Sequence, residues 1–387
     1  MTLFSSPQLG LDDTTVIDEI HAIRRSLASV LRTPKRWTGG LRRTSQARAI
    51  QGSNSIEGYT VSDQDAAAAV DDEPPLTADE QTWAEIIGYR RVLTYVLAMA
   101  TDAHFRIDES MIRSMHFMLL EHDLAKSPGR YRSGAIYVHD DEQGRAVYEG
   151  PDAGLIPDLM DALVKDVHDD SGEAMVRAAM AHLNLVMIHP FRDGNGRMAR
   201  ALQTMVMAQD RVLEPTFSSI EEWLGNNTAD YYAVLAATGA GSWHPERDAR
   251  MWVQFNLRAH HMQAQTLERR FAEAERLWAT IDQTVREHDL PERAADALFD
   301  ASLGLRVTRP AYVSRAGVEE RTASRDLSRL VELGLLDAHG QTRGRFYTAG
   351  TPLREQRRLD RGRREPLIDP CPGLVTEIRR AADALKS

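Results

Sequence analysis

The residues best suited to chemistry stand together in the stretch HPFRDGNGRMAR, at positions 189–200. His189 can accept a proton near neutral pH, because the ordinary pKa of an imidazole is about 6.5. Asp193 is a natural magnesium ligand, since proteins usually hold this ion through one or two carboxylates together with substrate phosphates. Pro190 fixes the entry to the stretch, and Phe191 is expected to anchor it in the core. A base beside a metal-binding carboxylate predicts a catalytic site.

The remaining residues of the stretch are typical of an anion site at the start of a helix. Gly194 and Gly196 let backbone N–H groups turn inward, and the dipole of the following helix favours negative charge there. Arg197 and Arg200, three positions apart, can reach phosphate oxygens, and Asn195 can donate to another. A base beside a polyphosphate indicates transfer to a nucleophile, most simply a hydroxyl. A helix-connecting loop with surface ion pairs would explain any one of these residues, but not the set.

The stretch closely resembles the signature of the Fic family, HPFx(D/E)GNGRxxR, and the resemblance covers about residues 40–260. It implies a protein adenylyltransferase that moves AMP from ATP to a Ser, Thr or Tyr hydroxyl of a protein and releases pyrophosphate. By this resemblance His189 deprotonates the hydroxyl, Asp193 holds Mg²⁺ and Arg200 binds the γ-phosphate. The other phosphate-binding residues that it implies are Gly194, Asn195, Gly196 and Arg197. The implied partners are a target protein and a second copy of this chain, as substrate or in a homodimer.

Two neighbouring segments fit the same resemblance. GRYRSGAIYV is similar to the family's flap, which pairs with the target backbone as an added strand, and Ile136 stands where the family pins the target. NNTADYYAVL, at 226–235, contains a tyrosine pair that lies by the adenine in relatives, so Tyr232 and Leu235 are candidates for the base pocket. At Gly239 the chain departs from the family, which often has asparagine there. A structural loop and ordinary core packing are the alternatives for the two segments.

The segment GSNSIEGY, at 52–59, contains a second family pattern, (S/T)xxxE(G/N), formed by Ser53, Glu57 and Gly58. A carboxylate at a helix end needs a partner, because the helix dipole there favours cations. By the resemblance, this pattern marks an inhibitory helix in which Glu57 pairs with Arg200. The γ-phosphate of ATP needs the same arginine, so ATP would enter with its α-phosphate misaligned. The resemblance therefore implies an intramolecular brake.

Three alternatives remain open. The same site could remove AMP from modified proteins, with Glu57 orienting a water molecule, or could transfer another phosphate-containing group. The chain could also be a DNA-binding regulator that uses the Fic domain as a sensor. The alternatives differ in the partner that must be found, a modified protein in one case and a nucleic acid in the other.

The C-terminal part has the pattern of a winged helix-turn-helix, with two short helices, a longer helix and a Gly-rich hairpin. Its candidate contacts with DNA are Arg321, Arg325 and Arg329 on one face of the recognition helix, and Arg343 and Arg345 on the wing. Residues 301–365 hold 14 arginines against eight acidic residues, although the whole chain has a net charge of −10. This asymmetry makes DNA a candidate partner, and docking to protein is the alternative.

The elements that must position these residues are predicted to be mostly α-helical. We expect a Fic-type helical core with a short β-hairpin flap, followed by a C-terminal winged helix-turn-helix domain. The predicted divisions are N-terminal helices at 1–100 with the inhibitory helix at about 41–58, the catalytic core at 101–286, the winged domain at 287–350, and an Arg-rich segment with a final helix at 351–387.

Local signals predict some of the boundaries. Thr77 and Glu80 have the spacing of a capping box, and Asp108 is placed to cap the next helix. Continuous helical patterns are predicted over 219–237 and 246–286, a hairpin within 127–154, and a solvated linker over the Arg-rich residues 351–366.

Composition excludes several classes of protein. The 387 residues suffice for two or three domains. The one cysteine, Cys371, excludes an internal disulfide and a multi-cysteine zinc site, and fits a reducing compartment. No apolar run approaches the roughly 20 residues of a membrane span. The N-terminus lacks a secretory pattern, so we expect a cytoplasmic protein without a membrane partner.

Overall fold

The computed structural model describes residues 2–140, 145–169, 171–341 and 344–385, and the chain is mostly helical, as the sequence predicts. The helices are α1 (Leu11–Arg32), α2 (Thr38–Ile56), α3 (Asp63–Val70), α4 (Glu80–Met99), α5 (Glu109–Leu120), α6 (Ile156–Val167), α7 (Ala174–Ile188), α8 (Asn195–Ala208), α9 (Pro215–Ser218), α10 (Glu221–Asn226), α11 (Thr228–Gly239), α12 (Arg250–Glu287), α13 (Ala294–Leu303), α14 (Arg309–Ala316), α15 (Glu320–Glu332), α16 (Thr351–Gly362) and α17 (Leu374–Ala384). Within the described ranges, none of these helices is long and apolar enough to cross a membrane.

The strands form two small antiparallel sheets. β1 (Tyr137–Asp140) pairs with β2 (Arg145–Glu149) in a hairpin, which confirms the predicted short flap. β3 (Val307–Thr308), β4 (Leu336–His339) and β5 (Phe346–Ala349) form a sheet in the order β3-β5-β4. Residues 141–144, at the tip of the predicted flap, lie outside the described residues.

The main core is built around α7 and α8. Both helices are buried on nearly every side. α7 consists mostly of apolar or small residues, as expected for a buried helix, whereas α8 also buries Arg197, Arg200 and Gln203. Helices α4, α5, α6, α11 and α12 pack around them and share one continuous apolar cluster. The turn between α7 and α8 therefore rests on the buried centre of the main core.

A second apolar core lies under the C-terminal part. Its members include Phe271 and Ile281 from α12, Leu298 from α13 and Leu327 from α15. Trp37, which directly precedes α2, belongs to the same cluster. Since α12 contributes to both cores, the boundary predicted at residue 287 does not separate two independent packing units.

The C-terminal elements follow one another as helix, strand, helix, helix and hairpin over α13, β3, α14, α15, β4 and β5. The linker predicted after this hairpin is wrong, because α16 is a helix over Thr351–Gly362. Pro352 stands in its first turn, where its missing N–H costs nothing, and Leu353 is buried against the second core. The Arg-rich composition hid this amphipathic pattern.

Two other local predictions differ from the structure. Thr77 does not cap α4, because its hydroxyl donates to Asp65 at 2.6 Å, and Asp79 takes the cap by accepting from the N–H of Thr82 at 2.9 Å. The helix predicted over 219–237 is broken at Asn227, whose side chain donates to the backbone of α10. The cap predicted at Asp108 is confirmed, since it accepts from the N–H of Met111 at 2.7 Å.

Candidate active site

The motif stretch forms the turn between α7 and α8. His189 follows α7 with φ of 50° and ψ of 57°, and Gly194 precedes α8 with φ of 76°. Both values lie in the left-handed region, which residues other than glycine seldom adopt. A Cβ atom on Gly194 would also lie only 3.0 Å from Leu119. The two left-handed residues fold the turn back on itself, so that His189 and the start of α8 border one loop.

Internal contacts hold this loop. Asn195 accepts from the N–H of Phe191 and donates to its carbonyl, both at 2.9 Å. Phe191 is buried, as predicted, and stacks on His116 at a centroid distance of 3.8 Å. His116 accepts from the N–H of Gly129 at Nδ1 and donates from Nε2 to the Asp193 carbonyl, which fixes one neutral tautomer. Burial lowers the pKa of His116 to about 4, so this unpredicted residue positions the loop without charge.

His189 presents one ring nitrogen for chemistry. Its Nδ1 donates to the Val186 carbonyl at 3.0 Å, which leaves Nε2 as the acceptor. Burial lowers the pKa of His189 below its usual value, so the ring is neutral at pH 7. The ring therefore has the tautomer and the charge that a general base needs.

Arg132 ties the flap to the same loop. Its backbone N–H donates to Pro190 at 2.9 Å, and its Nε donates to the His189 carbonyl at 2.8 Å. Its two terminal nitrogens donate to Gly134 at 2.7 Å and to Pro151 at 2.6 Å, one at each end of the hairpin. One buried guanidinium thus fixes His189 relative to the flap. The second arginine of GRYR was the available signal in the sequence, but nothing there predicted this role.

Arg200 contacts Ser53 in α2 and Glu57 directly after it, two of the three residues of the inhibitory pattern. Its Nε donates to Oγ of Ser53 at 2.8 Å, and its Nη2 donates to the Ser53 carbonyl at 2.9 Å and to Oε1 of Glu57 at 2.6 Å. Burial alone would lower the pKa of Arg200, but the Glu57 carboxylate outweighs it and raises that pKa above its usual range. Gly58 follows with φ of 85°, as expected for a glycine that ends a helix.

The Glu57 carboxylate also lies at the N-terminus of α8. A Cβ atom on Gly196 would come within 2.5 Å of Oε1 of Glu57, so only glycine leaves room for this approach. The first backbone hydrogen bond of α8 runs from Met198 to Gly194, and the N–H groups before it have no acceptor within the helix. A carboxylate is stabilised there by the helix dipole, as a phosphate would be. The Glu57 carboxylate therefore occupies the place where the sequence predicts an anion-binding site.

A buried polar chain supports Arg200 from behind. Its Nη1 lies 3.5 Å from the Tyr231 hydroxyl, which lies 2.9 Å from Nε2 of His182. Nδ1 of His182 lies 2.6 Å from the amide oxygen of Gln203 and must donate to it, so Nε2 accepts from Tyr231. Burial lowers the pKa of His182 to about 3, which keeps it neutral. These contacts hold Arg200 in place independently of Glu57.

Arg197 contacts a different carboxylate, that of Glu85. Its Nη1 donates to Oε2 of Glu85 at 2.6 Å, and both side chains are fully buried. The ammonium of Lys126 donates to Oε1 of Glu85 at 2.8 Å and also lies 2.8 Å from Oδ2 of Asp193. Burial opposes ionisation of Glu85, but the two cations lower its pKa to about 2. Glu85 lies 112 residues before Arg197, and no motif distinguished it or Lys126 in the sequence.

Asp193 fits the predicted role of magnesium ligand. Its carboxylate is 39% exposed, and its Oδ1 accepts from the N–H of Gly194 at 2.6 Å. Burial opposes ionisation, but Lys126 lowers the pKa of Asp193 below its usual value. A carboxylate that already attracts one cation, beside an anion site, suits an ion that takes phosphate oxygens as further ligands.

The flap places Ile136 directly before β1. Ile136 is half-buried, and its carbonyl accepts from the N–H of Gly150 at 3.2 Å. On the other side of the hairpin, the N–H of Glu149 donates to Gly241 at 2.9 Å. The second edge of β1 pairs with no strand among the described residues. The hairpin thus offers one open edge, beside the loop that carries His189.

The candidates for the adenine pocket lie on α11. The Tyr232 hydroxyl donates to the last carbonyl of α2 at 2.8 Å, and Leu235 packs against the main core. At Gly239 a Cβ atom would lie 3.0 Å from Met187 and 3.3 Å from the ring of Tyr148. A larger side chain at this position would therefore require Met187 and Tyr148 to shift by a few tenths of an ångström. The adenine contacts stay a prediction, as does the phosphate contact of Asn195, whose amide is engaged within the loop.

Comparison with known proteins agrees with this geometry. The sequence profile of the Fic/DOC family matches residues 106–207. Protein adenylyltransferase fic-1 of Caenorhabditis briggsae is 31% identical over 167 residues, which are 42% of this chain and 30% of that protein. A Fic family protein from Desulfovibrio desulfuricans has a similar structure, with a TM-score of 0.55 and 23% identity over 89% of this chain and 98% of its own. Fic-1 from Caenorhabditis elegans gives a TM-score of 0.52 at 23% identity, over 66% of this chain and 71% of its own.

These comparisons cover different parts of the molecule. The profile contains His189, the motif loop and nearly all of α8, whereas Glu57 lies before its first residue. The two structural similarities show a shared fold. The chain spans less than a third of the length of the curated relative from Caenorhabditis briggsae.

Proposed function

The chain contains a Fic domain, and from this premise we propose that it is a protein adenylyltransferase that moves AMP from ATP to a protein hydroxyl and is inhibited by its own Glu57. The observation that carries the proposal is the convergence of His189, the N-terminus of α8 and Arg200 on one loop, with the Glu57 carboxylate in the anion site. The curated relative, named a protein adenylyltransferase, supports the same class of reaction.

Each group in the loop has one step in this reaction. The target hydroxyl gives its proton to Nε2 of His189 as its oxygen attacks the α-phosphorus. The bond from the α-phosphorus to the bridging oxygen breaks, and pyrophosphate leaves. The N–H groups at the start of α8 stabilise the charge that develops, and Arg200 holds the γ-phosphate. Asp193 would hold Mg²⁺, which supplies positive charge to the phosphates.

Arg197 has room for a second partner in this scheme. Glu85 takes its Nη1, and its Nε is a buried nitrogen without a partner among the described residues. An unpaired buried donor is costly inside a protein, and a partner at this nitrogen would remove that cost. We assign it to a phosphate oxygen, with Glu85 and Lys126 orienting the guanidinium from the other side.

Inhibition follows from competition for the same donors. The γ-phosphate needs Nη2 of Arg200, which the Glu57 carboxylate holds at 2.6 Å beside Gly196. A nucleotide can then enter only with its γ-phosphate displaced, and the α-phosphorus is out of line for attack.

The decisive experiment is to follow which phosphate of ATP reaches the protein. In the Glu57→Gly variant with Mg²⁺, ATP labelled at the α-phosphate is expected to label the chain, whereas ATP labelled at the γ-phosphate is not. Chelation of the metal should abolish labelling, because Asp193 then lacks its ion. Transfer of the γ-label would instead establish a kinase-like reaction. Release of AMP from a modified protein by wild type, which keeps Glu57, without labelling of the Glu57→Gly variant would establish the reverse activity.

We further propose that the target docks on the open edge of β1. An extended segment added there would run beside the loop of His189, since Arg132 joins that loop to the hairpin. Backbone pairing is indifferent to target sequence, so a second copy of this chain can serve as substrate. Self-modification is therefore the readout that needs no knowledge of the natural target.

A second candidate function, DNA binding, is favoured by the exposed arginines of α15. Arg321, Arg325 and Arg329 all lie on its solvent face, in an element order that supports a winged-helix interpretation. Arg345 is also exposed, whereas Arg343 lies outside the described residues. Glu332 lies 3.5 Å from Arg329 and reduces the positive field of the face.

If these three arginines contact phosphates, affinity for a short DNA duplex is expected to fall about 40-fold between about 50 and 200 mM salt. Fluorescence anisotropy of a labelled duplex measures this. Replacing all three by alanine should flatten the salt dependence, whereas Arg358→Ala, an exposed arginine on α16, should leave it unchanged. Equal binding by the two variants would contradict a recognition role for α15.

A further inference from the structure

A polar cavity of about 580 Å³ lies behind the helix that carries Ser53 and Glu57. Its walls come from α2, α10, α12 and α13 on one side and from α16 on the other. Arg48, Gly52 and Ser55 of α2 face the cavity, at helical spacing and on the side away from Ser53 and Glu57. The cavity is therefore separate from the candidate active site that the Fic motif forms.

The charged lining of this cavity has an excess of arginine. Arg270 is held by both carboxylate oxygens of Glu222 at 2.6 Å, and Arg364 is held in the same way by Glu273 at 2.7 Å. These two pairs neutralise themselves and give the wall a fixed geometry.

Three other lining arginines, Arg48, Arg357 and Arg361, have no comparable partner. The nearest acid to Arg48 is Glu222 at 3.8 Å, which Arg270 already occupies. The side chains of Arg357 and Arg361 make no hydrogen bond or ion pair within the described part of the chain. Two carboxylates that also line the cavity are engaged by amides, Asp63 by Gln51 and Asp360 by Gln356.

Burial and neighbouring positive charges lower the pKa values of Arg48 and Arg357, the two half-buried arginines of this set. Burial, followed by repulsion from Arg270, lowers the pKa of Arg48 to about 10. Burial, followed by repulsion from Arg361, lowers the pKa of Arg357 to about 10 as well. Both stay charged at pH 7, and the five arginines of the lining exceed its four carboxylates by one, so the natural complement of the cavity is an anion.

We propose that this cavity binds a small molecule that carries a phosphate or pyrophosphate group, held by Arg48, Arg357 and Arg361. The volume is in the range of pockets that enclose ligands of nucleotide size. Arg48 belongs to the helix of Glu57, and the other two arginines belong to α16. The ligand therefore bridges that helix to the C-terminal part of the chain, and the site stands whether or not the proposed transfer reaction is correct.

The test is calorimetric titration of the full chain with pyrophosphate, at low salt and without Mg²⁺. Wild type is expected to bind, and Arg357→Gln should weaken binding at least about tenfold, because it removes a charge-assisted contact. Arg358→Gln, an exposed neighbour on α16 that does not line the cavity, is the matched control and should bind as wild type does.

Two further measurements keep the result decisive. Thermal unfolding of Arg357→Gln should match wild type, since Arg357 makes no hydrogen bond that the fold would lose. If that variant does not fold, Arg361→Gln, at an exposed position, replaces it and should weaken binding in the same way. Absence of binding to wild type, or equal binding to the Arg357 and Arg358 variants, would overturn the proposal.

Discussion

Replacing Glu57 by glycine is expected to raise the rate of self-modification with ATP and Mg²⁺ by about 10- to 100-fold, the range of a coupling free energy between two competing ligands. The variant loses the carboxylate that holds Nη2 of Arg200 at 2.6 Å and covers Gly196. Arg200 itself stays in position, because Ser53 and Tyr231 still contact it. Incorporation of label from ATP marked at the α-phosphate, followed over time in both proteins, measures the ratio.

Ser53→Ala is the matched control for this result. It removes one hydrogen bond to Nε of Arg200 but leaves the Glu57 contact, so its rate should rise much less than that of Glu57→Gly. Melting temperatures should fall in both variants, since Arg200 is buried and loses a partner in each. Equal incorporation by wild type and Glu57→Gly would show that the observed contact does not limit the reaction.

The pairing of Glu57 with Arg200 was predictable because both residues belong to patterns of the Fic family, and the resemblance to that family implies the contact. The loop conformation was predictable for a similar reason, since glycine at 194 and 196 marks positions where a side chain does not fit. His116, Glu85 and Lys126 were not predictable in this way. Their roles depend on contacts with the motif loop and with α8, between residues that are far apart in the sequence. A helical pattern predicts which residues are buried but not which residues they contact.

The predicted ends of the helices were also correct only where local contacts determine them. Asp108 caps α5 as predicted, whereas Thr77 is taken away from α4 by Asp65, a residue of another helix. The linker predicted at 351–366 failed because arginine fits both a solvated tail and the polar face of a helix. Tertiary contacts decide whether such a segment is a helix or a solvated linker. In α16, the packing of Leu353 against the second core is one of these contacts.

His189→Ala is expected to lower the rate of transfer by about 10²- to 10⁴-fold, the usual contribution of a general base. The substitution should lower the turnover number and leave the affinity for ATP nearly unchanged. The ring contacts Val186, and the predicted phosphate ligands are the start of α8 with Arg197 and Arg200. Measured in the Glu57→Gly background, where the anion site is open, affinity for ATP should change by less than about threefold, because no hydrogen bond to the phosphates is lost.

The backbone at residue 189 makes the choice of substitution matter. Its φ of 50° strains alanine, so a loss of rate in His189→Ala alone could reflect a shifted loop. Asparagine tolerates the left-handed region and cannot accept a proton at pH 7, so His189→Asn keeps the loop and removes only the base. If both variants bind ATP normally and both are inactive, the imidazole acts on the attacking hydroxyl. If ATP binding disappears in His189→Asn as well, residue 189 belongs to the nucleotide site and another group must take the proton.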